Sequence, residues 1–130
     1  MNVTINPKKT ALLLIDMQND FLHPDGAYAR GNQTAKSMIP LPEKLLKVAQ
    51  AIRKAGGWIV STHFTIITGK EGEPFISPHL KALRPFLQKG DFTSGGWGHD
   101  VLDLLRPVDI KVEKVAYSDF YQSRLEFSLK

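Results

Sequence analysis

No cysteine occurs among the 130 residues. Disulfides and thiolate metal sites are thereby excluded within them, and so is a thiol nucleophile. No apolar run approaches the roughly 20 residues that a membrane span requires, and the opening MNVTINPKKT lacks the apolar core of a secretory signal. The expectation is a soluble, cytoplasmic protein with no membrane partner. Charge of one sign is also scarce: 17 Lys and Arg against 13 Asp and Glu leave a net +4, spread without a basic tract. That gives no footing for nucleic acid as a partner. There is no internal repeat and no low-complexity segment, and the length suits one domain with an ordinary core.

What is present is a succession of strand and helix patterns. Ala11 to Ile15 is a continuous apolar run of strand length, the pattern of a strand covered on both faces in a parallel sheet. Leu22 to Ile39, with Pro24, Asp25, Gly26, Gly31 and Asn32, reads as a long loop. Leu41, Leu45, Val48, Ala49 and Ile52 recur at three- and four-residue spacing, so a helix is predicted over Leu41 to Ala55, with Gly56-Gly57 ending it. WIVSTHF follows as a second strand and completes a βαβ unit, for which parallel pairing is expected.

Thr65 to Gly98 is rich in Gly and Pro and reads as an excursion over the sheet's edge, with a helical turn marked by Leu80, Leu83 and Phe86. A short helix is predicted over His99 to Arg106, with Val101, Leu104 and Leu105 inward. Val108, Ile110 and Val112 alternate with Asp109, Lys111 and Glu113 as a strand buried on one face. The segment SRLEFSLK opens like a helix with Ser123 as N-cap.

Ligands of open parallel α/β sheets bind beyond the carboxyl ends of the strands. Asp16 stands at one such end, in LLLIDMQNDF, and Lys114 at another, just after the Val108 to Glu113 strand. In one partly desolvated cleft these two would hold each other charged and could move a third group's proton. The plain alternative is that Asp16 caps the next turn and Lys114 is a solvated strand-end lysine.

The segments TALLLIDMQNDFLHPDG, RKAGGWIVSTHF and VEKVAYSDFYQSRLE closely resemble the isochorismatase-like cysteine hydrolases, whose members read an apolar run into D-x-Q-x-D-F and later K-x-x-Y-S-x-F-x-x-T-x-L. The resemblance runs from about residue 9 to Lys130. It implies a three-layer, Rossmann-like parallel sheet of strand order 3-2-1-4-5-6, with residues 1–130 as one domain that is truncated on its C-terminal side. It also implies hydrolysis of a C–N bond in a small amide, ureide or carbamoyl compound through a Cys-Asp-Lys triad, without a cofactor. Asp16 and Lys114 match the family's aspartate and lysine. The family's cysteine has no counterpart in these residues, so a non-catalytic binding or assembly subunit with the same fold is the alternative. Isochorismate-type ether hydrolysis also occurs in this fold. A small-molecule substrate, and either a homo-oligomer or pairing with the missing segment, are the partners expected.

Other residues carry weaker signals. Some relatives, the nicotinamidases, hold a metal with Asp-x-His, but Ser61 stands two residues before His63, so no metal site is assigned. Trp97, in SGGWGHD, either lines the site or packs under a Gly-rich loop. Tyr117 and Phe120 follow Lys114 and either line an aromatic pocket or pack the next turn. Phe21, closing the first motif, is assigned with them to substrate binding. Gln18, Asn19 and Asp20 read as turn-stabilising groups.

Overall fold

The computed structural model describes residues 2–130 and has three parallel strands in the order β1-β2-β3. In chain order the elements are β1 (Ala11–Ile15), α1 (Asn19–Leu22), α2 (Ala27–Arg30), α3 (Leu41–Lys54), β2 (Trp58–Phe64), α4 (Pro78–Leu83), β3 (Ile110–Lys114) and α5 (Leu125–Leu129). Leu12 pairs with Ile59, and Val60 with Ile110. This is the 3-2-1 half of the expected order, with no strand beside β1 among the described residues. None of their helices is long and apolar enough to cross a membrane.

The apolar stripe of α3 packs on one sheet face. Leu41, Leu45, Leu46 and Ile52 lie against Leu14, Ile59, Val101 and Leu105, which are buried with Met17 and Ala49. Each fully buried aliphatic side chain there contributes about 1.5–3 kcal/mol. Val60, Val112 and Leu125 form a smaller cluster on the opposite face, with α5 as cover. The third layer is thin: Ile15, Trp58 and Leu129 remain about half exposed.

The predicted β1, α3 and β2 hold within a residue, and the helical turn near Leu80 is α4. Three expectations are corrected. His99 to Arg106 is not a helix; a single 3-10 turn covers Asp103–Leu105, and Leu104 faces solvent. Its backbone is committed elsewhere, with Asp100 O accepting from Asn19 N, Leu102 N donating to Met17 O, and Gln18 bridged antiparallel to Val101. The third strand begins at Ile110, because Asp109 instead clamps Ile59: its N–H donates to Ile59 O and its carboxylate accepts from Ile59 N. Finally, α5 starts one residue late, at Leu125. Ser123 donates to Asp119 O and accepts from Leu125 N, a local turn in place of an N-cap. The loop expected over Leu22 to Ile39 also contains α2 and a 3-10 turn at Lys36–Met38.

The polar residues after β1 fasten the excursion to the sheet. Gln18 is fully buried; its amide donates to Phe64 O and His99 O and accepts from Phe64 N. Asn19 donates to Trp97 O, and the Asp20 carboxylate accepts from Ala27 N and Phe92 N. A Cβ on Gly98 would lie 2.0 Å from Asp20 Oδ2, so only glycine lets the loop approach this carboxylate. Replacing Gln18 by Leu leaves three buried backbone groups without these partners. Urea unfolding of Gln18→Leu is expected to show a loss of about 2–4 kcal/mol, whereas a change within experimental error would make the amide a bystander.

Candidate active site

The period of two along β3 carries Lys114 into the site. Ile110, Val112 and Lys114 share one sheet face, so the lysine takes the inward place that an aliphatic residue occupies two positions earlier, and it is 4 % exposed. It is the last residue of the strand, which ends one position later than the expected Glu113. Its ammonium has three partners for its three N–H groups: Asp16 Oδ2 at 3.1 Å, Tyr117 O at 3.1 Å and Asp119 Oδ1 at 2.5 Å. The Asp119 contact is ionic, with angles outside those of a hydrogen bond.

Asp16 follows β1 with φ 57, in the left-handed region, while its N–H still donates to Thr62 O. A non-glycine residue held there is strained, and such strain gathers at functional sites. The turn aims the carboxylate across the strand ends at Lys114. Only one of its oxygens is used. Asp16 Oδ1 is buried and has no hydrogen-bond partner among the described residues. Burial pushes the Asp16 carboxyl above its ordinary range, more than the Lys114 ammonium pulls it down, and the Asp119 carboxylate adds to the rise. Desolvation thus outweighs the partner in setting the direction of the Asp16 shift.

A cavity of about 410 Å³ opens beside this pair. Phe21, Tyr28, Phe64 and Phe92 make one wall, packed edge to face or tilted with ring centroids 4.6–6.1 Å apart. Tyr117 lines it too, with its own side chain 91 % exposed. Of the four residues assigned to substrate binding, the fold therefore brings Phe21 and Tyr117 to the cavity. Trp97 and Phe120 are half exposed and do not line it; Trp97 sits edge-on to His23 instead. Asp119, Tyr28 and Arg84 were not anticipated. A second acid five residues after Lys114 was a readable sign of the first, whereas Tyr28 and Arg84 lie in loop-rich segments with no period to place them.

His63 and His99 form a separate buried pair with ring centroids 5.0 Å apart. His63 contacts Ser61 Oγ and His99 O, and His99 contacts Thr65 Oγ1. Burial lowers both pKa values, which keeps the rings neutral at pH 7. Both ring nitrogens of His63 and Nε2 of His99 thus have partners within the fold, and no cluster of three or more His, Cys, Asp or Glu suited to a metal occurs among the described residues.

The sequence model of the isochorismatase domain family matches residues 10–130. Ureidoacrylate amidohydrolase RutB of Acinetobacter baylyi is 30% identical over 98% of this chain and 57% of its own. Among solved structures, a cysteine hydrolase from Pseudomonas syringae pv. phaseolicola superposes with a TM-score of 0.73 at 25% identity, over 98% of this chain and 56% of that one. N-carbamoylsarcosine amidase from Thermoplasma acidophilum gives 0.66 at 25% identity, over 92% and 59%. The chain thus spans somewhat over half the length of the relatives it matches.

The raised Asp16 pKa fixes a sign for stability. The native state holds the proton more tightly than the unfolded chain, so stability falls as pH rises from the ordinary value of 3.8 through the folded pKa, and the cost stands in full above it. Asp16→Asn removes the ionisation, and asparagine tolerates the left-handed backbone. Its stability relative to the parent, from urea unfolding, is expected to rise between about pH 3 and pH 7. A relative decline over that range would mean that Lys114 outweighs burial after all.

Proposed function

The chain belongs to the isochorismatase family, and from that premise we propose that its Asp16 and Lys114 serve a thiol-dependent hydrolysis of a C–N bond in a small amide, ureide or carbamoyl compound. The observation that carries this reading is the free, buried oxygen of Asp16 beside an ammonium that hydrogen-bonds the other oxygen of Asp16 and Tyr117 O and pairs ionically with Asp119. A lone pair with no partner, on a carboxyl of raised pKa, is what a general base needs to accept a proton. The ammonium, held by these three contacts, acts through its charge.

The steps follow from those roles. Asp16 Oδ1 takes the thiol proton, and the thiolate attacks the carbonyl carbon. Lys114 favours the thiolate over the thiol by its positive charge. As the tetrahedral species collapses, Asp16 returns the proton to the leaving nitrogen and the C–N bond breaks, leaving an acyl or carbamoyl thioester. Water then attacks the thioester carbonyl, Asp16 accepts its proton, and the thiol is released with the acid. The thiol itself is no part of these 130 residues. We place it on polypeptide outside them.

The relatives named for ureidoacrylate and N-carbamoylsarcosine support the ureide and carbamoyl classes as the first substrates to try. The absence of cysteine from the chain favours a second reading, a binding or assembly subunit that keeps the fold without the reaction.

With the thiol-bearing polypeptide present, Asp16→Asn is expected to lower turnover of ureidoacrylate or an N-carbamoyl amino acid at least about a hundredfold while circular dichroism stays unchanged. Full turnover in that variant would end the assignment of Asp16 as base. Lys114→Met is expected to move the alkylation profile of the thiol to higher pH, because loss of the neighbouring charge destabilises the thiolate. Substrate binding without turnover, and without sensitivity to a thiol reagent, is the outcome that selects the second reading.

A further inference from the structure

We propose that Arg84 is a specificity-determining residue that reads a carboxylate on the substrate, with the Tyr28 hydroxyl as its second donor. The inference deepens the hydrolase reading and rests on it for which cavity the substrate occupies. Arg84 lines the same cavity as Asp16 and Lys114. The two ends carry different charge. Asp16 is the only acidic residue lining the cavity, and it is already matched by Lys114, which Asp119 also neutralises. Arg84 forms no ion pair among the described residues, whereas Arg30 pairs with Asp91 and Arg106 with Asp100 and Asp103. An uncompensated guanidinium therefore stands on a wall that is otherwise aromatic and aliphatic apart from Ser77 and His79, at a part of the cavity out of ion-pair range of Asp16.

Its orientation is fixed before any ligand arrives. Nε donates to Tyr28 Oη at 3.0 Å and Nη1 donates to Leu83 O at 3.0 Å, which leaves Nη2 without a protein acceptor. Tyr28 is held in turn by Phe21, Phe86 and Phe92, with ring centroids 4.8, 5.2 and 5.9 Å away. Its oxygen accepts from Arg84, and its own O–H has no acceptor among the described residues. Nη2–H and the Tyr28 O–H are thus two free donors held by one hydrogen bond between their parent groups. A carboxylate has two oxygens to meet them and a charge to match the guanidinium; a neutral amide has one acceptor oxygen and no charge. A side chain spent only on packing Tyr28 would need neither the charge nor the free donors.

The test is calorimetric titration of the full 130-residue chain with N-carbamoylglycine and with N-carbamoylglycinamide, which have the same size and differ in charge. The carboxylate is expected to bind about tenfold or more tightly than the amide, with the gap closing as salt is raised. Arg84→Gln is expected to bring the two within about twofold, Arg84→Lys to keep part of the preference, and Tyr28→Phe to weaken the carboxylate alone. Equal affinities in the parent, a preference that survives in Arg84→Gln, or binding of neither compound overturns the proposal. Because binding needs no thiol, a preference that persists where the chain supplied with its thiol-bearing polypeptide shows no turnover counts against the hydrolase reading and leaves Arg84 standing. Turnover of both compounds at equal kcat/KM does the reverse.

Discussion

One buried ammonium sets the terms for the strand ends. Removing a lysine head group from water costs several kcal/mol, and one anion at contact distance returns on the order of 4 kcal/mol at the dielectric typical of protein sites. One carboxylate thus roughly breaks even, and Lys114 has two, together with the carbonyl of Tyr117. Two carboxylates on one ammonium leave the cluster short of a positive charge. At Asp16 this adds to burial, the larger cause, and its proton is held more tightly than in water. A base poised in this way is a by-product of burying the lysine securely.

The strain at Asp16 belongs to the same account. A carboxylate at the end of β1 in ordinary strand geometry would follow the pleat; the left-handed turn directs it across the sheet to β3. That turn has to be held, and Gln18, Asn19 and Asp20 hold it by bonding to backbone at Phe64, His99, Trp97, Ala27 and Phe92. The segment that aims the base therefore also ties down the loop that roofs the cavity.

This division explains what could be read from sequence. The strands, α3 and the strand-end positions of Asp16 and Lys114 follow from periods of 2 and 3.6 and from the ends of apolar runs, which are local. The structure at His99 to Arg106 is decided by hydrogen-bond partners some eighty residues away in sequence, the donors of Gln18 and Asn19 and the carbonyl of Met17, and no local pattern carries that information. Leu104 was misplaced for the same reason: a helical period was assumed where no helix forms. Ser123 shows a local competition resolved the other way, its hydroxyl satisfied by Asp119 and Leu125 before it could cap a helix. The motif match brought Asp16 and Lys114 together; Asp119 stands close by in the sequence, but its pairing with Lys114 came only with the fold.

The cavity joins these strands of argument. Its chemistry sits at one part, where desolvation raises a carboxyl beside an ammonium, and its remaining wall is aromatic and aliphatic apart from one guanidinium and the polar Ser77 and His79. The aromatic rings do two physically different things. Beside the strand ends they line the cavity that Asp16 and Lys114 share; at Tyr28 they lock a phenol that in turn fixes the plane of Arg84. Arg84 caps the short α4 and is held in place because its neighbours include rigid rings and its hydrogen bonds are to fixed acceptors. Precision at the recognition end then comes from packing between two short helices, and at the reacting end from sheet register.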